Sequence, residues 1–306
     1  MSEHDEYYPW FMKMNYPISK EKTNTSLVTD VVKKKLFLFD VDGTIVPSGK
    51  CISNEMKNVI KRIINTGNHV GIVGGGSIEK IKVQMRDLMF HHYFTECGCI
   101  YHKNQYLEQL DCPHNYENEQ LILSKIYSHN IREHKIYPQI NILMKECMKY
   151  VSSVKYCISG NLMDLRNGIV YFSMVGMPAT EKEREDFIVE DNIYSHRRIL
   201  ITILNEKAAQ LGIYKQVCIY EGGQVGIAIF PREYDKVQVI DHIEDVYNCI
   251  YYFGDKYEEN GNDHMIINDP RIIGFAVNSP DETFCILSDL LNMYDKQNNE
   301  NKRNKK

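Results

Sequence analysis

With 306 residues, 43% of them apolar and 25% charged, the chain has material for one large domain or two ordinary ones around a substantial core. A net charge of −5 argues against nucleic acid or an anionic membrane as the main partner, and leaves room for an anionic substrate gripped by a few arginines and lysines. Nine scattered cysteines without a Cys-x-x-Cys pair argue against a zinc site or disulfide framework; with no apolar run near ~20 residues and no secretory h-region, a cytoplasmic location is expected.

Residues 1–32 are polar and irregular, and their aromatic cluster YYPWFMKMNY is expected to lie in a poorly ordered extension. Leu36 to Phe39 form a continuous apolar run, the pattern of a strand buried on both faces of a parallel sheet. The run ends in DVDGT, which delivers Asp40 and Asp42 one residue apart, then Gly43 for a sharp turn and Thr44 with a hydroxyl. Two anions that close call for a cation between them or a proton on one. Ser53 is placed to cap a helix with Met56, Val59, Ile60, Ile63 and Ile64 on one face, ended by Gly67. HVGIVGGG then reads as a second buried strand running into glycines, and Ser77 as the cap of a helix over 78–89. His91 and His92 are expected on a loop or helix end rather than in a metal site.

The pattern then changes. Two hairpins turned at Asn167-Gly168 and Gly222-Gly223 are accompanied by helical stretches expected near 118–131, 139–151 and 195–211. After them CIYYFGDKYEENGND returns to a buried strand ending at Gly254-Asp255. The fold class is therefore α/β: a parallel-sheet core over 33–112 and 235–295, interrupted by an inserted α+β domain with an antiparallel sheet over 113–234. Residues 296–306 read as a charged, solvated tail. Ligands of an open parallel sheet bind beyond the carboxyl ends of its strands, which is where Asp40, Ser77, Asp255, Asn262 and Asp263 fall. Carboxylates in that number suit a hard, oxygen-liking cation, magnesium above all. An aspartate that attacks phosphorus while a neighbour exchanges protons is one use for such a pair.

DVDGT after a buried strand, Lys236, and the late GDK…GND resemble the haloacid dehalogenase superfamily. LFDVDGTIVP, GIVGGGSIEKIKVQM, LRNGIVYFSMVG and EGGQVGIAIFPREYDK extend the likeness to eukaryotic-type phosphomannomutase over about residues 34 to 290. The resemblance implies a Rossmann-like core with a mobile cap that closes against water. It implies interconversion of mannose 6-phosphate and mannose 1-phosphate in the supply of GDP-mannose, with a hexose 1,6-bisphosphate primer, Mg²⁺ and a homodimer through the cap. It makes Asp40 the nucleophile, Asp42 the general acid/base and Lys236 the stabiliser of the transferring phosphoryl group. Metal binding falls to Asp40, Asp42, Asp255 and Asp263, and substrate binding to Arg166, Arg184, Ser77, Gly222 and Gly223.

The chain departs from that family at four places. Gly76 aligns with a phosphate-binding serine, and a small shift of the glycine loop is expected to bring Ser77 into its place. Met177 stands at an arginine, Gly226 at a serine and Ala228 at an aspartate. Losing one arginine and one aspartate contact implies ~3–6 kcal/mol for the usual sugar. Two rivals follow: a sugar-phosphate phosphatase that admits water, and a catalytically weak binding or scaffold protein that keeps the fold.

Overall fold

The computed structural model describes residues 34–108, 121–259 and 261–303, so the expected N-terminal extension lies outside the described residues. The chain opens on β1 (Lys35–Phe39), followed by α1 (Asn54–Asn65). Ser53 Oγ accepts from Met56 N at 3.1 Å, and Met56, Val59, Ile60, Ile63 and Ile64 are its buried residues, as the spacing predicts. Gly67 follows the helix in a left-handed conformation (φ +81°), where a glycine costs least. β2 (His69–Val73) leads through the glycines to α2 (Ile78–Met85), capped by Ser77. α2 is shorter than expected because Arg86 turns left-handed at φ +56°.

β3 (His92–Thr95) and β4 (Ile100–Asn104) form a hairpin whose turn holds three successive positive φ angles, at Glu96, Cys97 and Gly98. His92 opens the strand, which corrects its expected place on a loop, while His91 lies in the bend before it; both are buried. His92 pairs through Nδ1 with Tyr101 Oη at 2.8 Å and through Nε2 with Tyr247 Oη at 2.5 Å. Burial pushes both imidazoles far below the ordinary histidine range, so they remain neutral.

After the short α3 (Gln105–Glu108), β5 (Leu123–Ser128) pairs antiparallel with β4. The helix expected near 118–131 is thus a strand over its described part; LSKIYS alternates enough to sit at a sheet edge, and pairing with β4 decides it. β5 falls inside the stretch read as inserted, so the chain leaves the large sheet only after Ser128. Next come α4 (Tyr137–Val151), the hairpin β6 (Met163–Leu165) and β7 (Val170–Ser173), α5 (Glu181–Tyr194) and α6 (His196–Gln210). The hairpin β8 (Val217–Gly222) and β9 (Gly226–Pro231) completes this region. A 3-10 turn over Lys236–His242 returns to β10 (Cys249–Gly254), α7 (His264–Ile267), β11 (Ile273–Ala276) and α8 (Pro280–Arg303). α8 runs on through most of the segment read as a tail.

The large sheet has seven strands in the order β11-β10-β1-β2-β3-β4-β5, parallel from β11 to β3. The small sheet is antiparallel, β6-β7-β9-β8. Alternation sorts the small sheet's side chains by face. Val170, Phe172, Val217, Ile219, Ile227 and Ile229 pack on α4 and α6. Cys218, Tyr220, Ala228 and Phe230 point the other way and meet Cys97 of the β3–β4 turn.

Candidate active site

β1 lies between β10 and β2, and its carboxyl end sets the site. Asp40 N donates to Phe253 O at 2.9 Å, so the β1–β10 ladder holds the aspartate in place. The chain then folds back, with Gly43 N donating to Val46 O at 2.7 Å. Gly43 has φ +94°, and a Cβ there would sit 2.5 Å from Asp255 Oδ2. Only glycine lets this turn run so close to the carboxylate.

Lys236 is carried in from the far end of the sequence by its 3-10 turn, which Asp235 caps through Val237 N. Its ammonium is fully buried, 2.6 Å from Asp40 Oδ1 and 2.7 Å from Asp263 Oδ1. Asp263 also accepts from Tyr252 Oη at 2.5 Å and Lys256 N at 2.9 Å. Oxygens of Asp40, Asp255 and Asp263 all lie within 4.8 Å of one another. Burial, with Asp263 and Asp255 nearby, outweighs the pull of Lys236 and pushes the Asp40 carboxyl up to about 8. Burial also raises Asp255. Lys236 moves the other way from what burial alone would do, because Asp263 and Asp40 hold its proton well above the ordinary lysine range.

Three crowded carboxylates facing the buried Lys236 and, at 3.0 Å from Asp255 Oδ2, the half-exposed Lys256 still leave an excess of negative charge. Among the described residues the buried Asn262 Oδ1 has no hydrogen-bond partner. An all-oxygen set with an orphaned amide oxygen beside it fits a hard divalent cation of the magnesium type. The Asp42 side chain is not part of that set. It accepts from Gly49 N at 2.8 Å, Gln84 Nε2 at 2.8 Å and Lys80 Nζ at 2.5 Å. Burial would raise the Asp42 carboxyl, but Lys80 and these donors outweigh it and hold it low, as a carboxylate.

Beside this centre is a cavity of about 290 Å³ lined by Ser77, Lys80, Glu96, Asp164, Arg166 and Asn167. The Asn167-Gly168 turn reaches it from the small sheet. Arg166 donates through Nε to Asp164 Oδ2 at 2.6 Å and through Nη1 to Gly75 O at 2.8 Å. Gly168 N donates to the buried Glu96 Oε2 at 2.9 Å. Ser77 lines the cavity while its Oγ caps α2. Arg184 lies apart from the cavity lining, its guanidinium held by the Met177 and Ala179 carbonyls at 2.8 and 3.0 Å. Gly222 and Gly223 sit at the other hairpin, where Gly222 O accepts from Tyr171 Oη at 2.9 Å.

Glu96 and Lys80 escaped the sequence reading. Lys80 had a usable signal, since a residue three beyond an N-cap returns to the same helix end. Glu96 had none, because its role depends on a left-handed turn meeting a distant hairpin.

A family model described as eukaryotic phosphomannomutase matches residues 56–293, beginning after the DVDGT turn. Phosphomannomutase 1 of Dictyostelium discoideum is 32% identical over 266 residues, covering 85% of this chain and 98% of that protein. The Schizosaccharomyces pombe phosphomannomutase is 29% identical over 268 residues, 85% and 95% of the two chains. Among solved structures, Plasmodium falciparum IMP-nucleotidase superposes with a TM-score of 0.60 at 12% identity, over 85% of this chain and 62% of that one, a likeness of fold alone.

Proposed function

Because the chain belongs to the eukaryotic phosphomannomutase family, we propose that it is an isomerase interconverting mannose 6-phosphate and mannose 1-phosphate, primed by a hexose 1,6-bisphosphate. The observation that carries this reading is the Lys236 ammonium, buried between Asp40 and Asp263 at the carboxyl edge of the parallel sheet.

In this reading an Asp40 oxygen attacks phosphorus and the sugar oxygen leaves, giving an aspartyl phosphate that the other sugar hydroxyl later takes up. Asp42, held as a carboxylate by Lys80, is ready to accept the proton of that hydroxyl. To donate a proton in the reverse sense it must first loosen from Lys80, whose side chain is half exposed. Lys236 donates to the phosphoryl oxygens as charge builds on them. Mg²⁺, held by Asp40, Asp255 and Asp263, would neutralise the carboxylates and the phosphoryl group. Arg166, at the mouth of the cavity, and Arg184 serve the distal phosphate, with the small sheet acting as the cap. We further infer a homodimer through this region: Val189 and Ile193 lie one turn apart on α5, both mostly exposed. Sedimentation velocity is expected to give twice the 35.8 kDa chain mass for the wild type, and a monomer for Val189→Glu/Ile193→Glu; a monomeric wild type overturns it.

One feature favours a second reading, a sugar-phosphate phosphatase. Ala228 is packed among apolar side chains, and Arg184 is spent on backbone carbonyls, so the cap offers few grips on a sugar. Phosphorus NMR of the protein with Mg²⁺, mannose 1-phosphate and a hexose 1,6-bisphosphate separates the two. The 6-phosphate is expected to appear only with bisphosphate, and to stop on adding EDTA. Inorganic phosphate without isomer would replace the mutase by the phosphatase, and no reaction would leave the scaffold.

A further inference from the structure

The site-facing side of the small sheet carries a cross-strand row, Asp164–Tyr171–Ala228–Tyr220. Tyr171 alternates with Val170 and Phe172, which pack on the helices, so its ring belongs to the opposite face with Ala228. The ring does not stand straight out. It leans over Gly222 and Gly226, with its hydroxyl bonded to Gly222 O at 2.9 Å. A Cβ at Gly226 would sit 2.3 Å from the ring's Cζ and Oη. The Tyr171 ring and a side chain at 226 therefore exclude each other.

The ring's neighbour Arg166 ties it to the cavity. The Arg166 guanidinium lies 5.6 Å from the ring centroid. Arg166 also lines the cavity, so a sugar phosphate held by this arginine comes within reach of the ring.

We infer that Tyr171 is a specificity-determining residue, its ring filling the volume vacated at Gly226 and acting as a wall that admits a hexose by size. This rests on the hexose phosphate reading above. The hydroxyl is already engaged by Gly222, and the Ala228 side chain has no polar atom, so this part of the face selects by room rather than by hydrogen bonds. Walls of that kind discriminate by ~10–200-fold, far less than sites that bond each hydroxyl.

Calorimetric binding in an Asp40→Asn background, so that no phosphoryl group is transferred, tests the inference. The probes are mannose 1-phosphate and the bulkier N-acetylglucosamine 1-phosphate. The parent is expected to prefer the smaller sugar by ~30-fold, Tyr171→Ala to cut that preference by ~10-fold, and Tyr171→Phe to leave it within about twofold. Tyr171→Leu replaces the alanine variant should that one not fold. Gly226→Ser is expected to lower the melting temperature on its own, and to lower it far less in the Tyr171→Ala background. An unchanged sugar preference in the alanine and leucine variants, no binding of either sugar by the parent, or a Gly226→Ser protein as stable as the parent would each overturn the inference. The turnover assay fails separately. Protein that isomerises nothing yet shows the changed preference keeps the wall and loses the mutase.

Discussion

Replacing Lys236 with methionine is expected to lower the metal-free protein's stability by ~3–5 kcal/mol, the usual cost of stranding buried charges, and to lower turnover by ~10²–10³-fold. Methionine fills a similar volume, so packing is conserved and charge is the variable. The ammonium is fully buried and bonded to Asp40 and Asp263 at 2.6 and 2.7 Å. Without it, Asp40 and Asp263 lose the buried ammonium between them, and the half-exposed Lys256 beside Asp255 is left to offset three carboxylates. Saturating Mg²⁺ should restore part of the stability by mass action, since it binds the folded state alone, while turnover stays low. Thermal unfolding in EDTA and in Mg²⁺, beside a turnover assay, separates these effects. A variant that melts with the wild type in EDTA would mean that the ammonium does not hold the carboxylates together.

Asp40→Asn is expected to abolish turnover, by ~10⁴-fold or more, without unfolding the protein. The amide oxygen can still accept from Lys236, but it is no nucleophile. The stability change should have the opposite sign to that of the lysine variant. Burial and two neighbouring carboxylates raise the Asp40 carboxyl from 3.8 to about 8. A raised folded-state pKa favours folding at low pH, and that contribution is lost as pH climbs from about 4 through 8. In EDTA the variant should therefore melt near the wild type at pH 4.5 and above it at pH 8. Saturating Mg²⁺ should erase that advantage. Turnover by the variant would move the nucleophile elsewhere, and a variant less stable than wild type at pH 8 would show the ionised Asp40 to be a net support of the fold.

What could be read in advance follows the range of the interaction involved. The α1 face, the Ser53 cap and the Gly67 stop are local, and each is written within a few residues. DVDGT announces its own turn, because only glycine passes Asp255 so closely. β5 is not legible as a strand because an edge strand is decided by its partner, here β4, and not by its own period. The resemblance groups Asp42 with Asp40, Asp255 and Asp263, but β1 ends at Phe39 and Asp42 lies in the turn beyond it, where Lys80 and Gln84 take its carboxylate. The clasp between Glu96 and Gly168 joins residues 72 apart, and nothing in either local stretch names the other.

The chain crosses between the two sheets twice, after Ser128 and again past Pro231, and where the crossings meet the rings of His129 and Tyr234 stack 4.8 Å apart. Two crossings side by side work as an axle. Lys236 follows Tyr234 by two residues and so sits close to that line, whereas Arg166 and the Asn167-Gly168 turn are bonded to the large sheet at Gly75 and Glu96. A turn of the small sheet about that line would break those bonds and carry the arginine away while moving the ammonium little. Access and charge placement would then be geared separately: the door swings and the lock stays where it is.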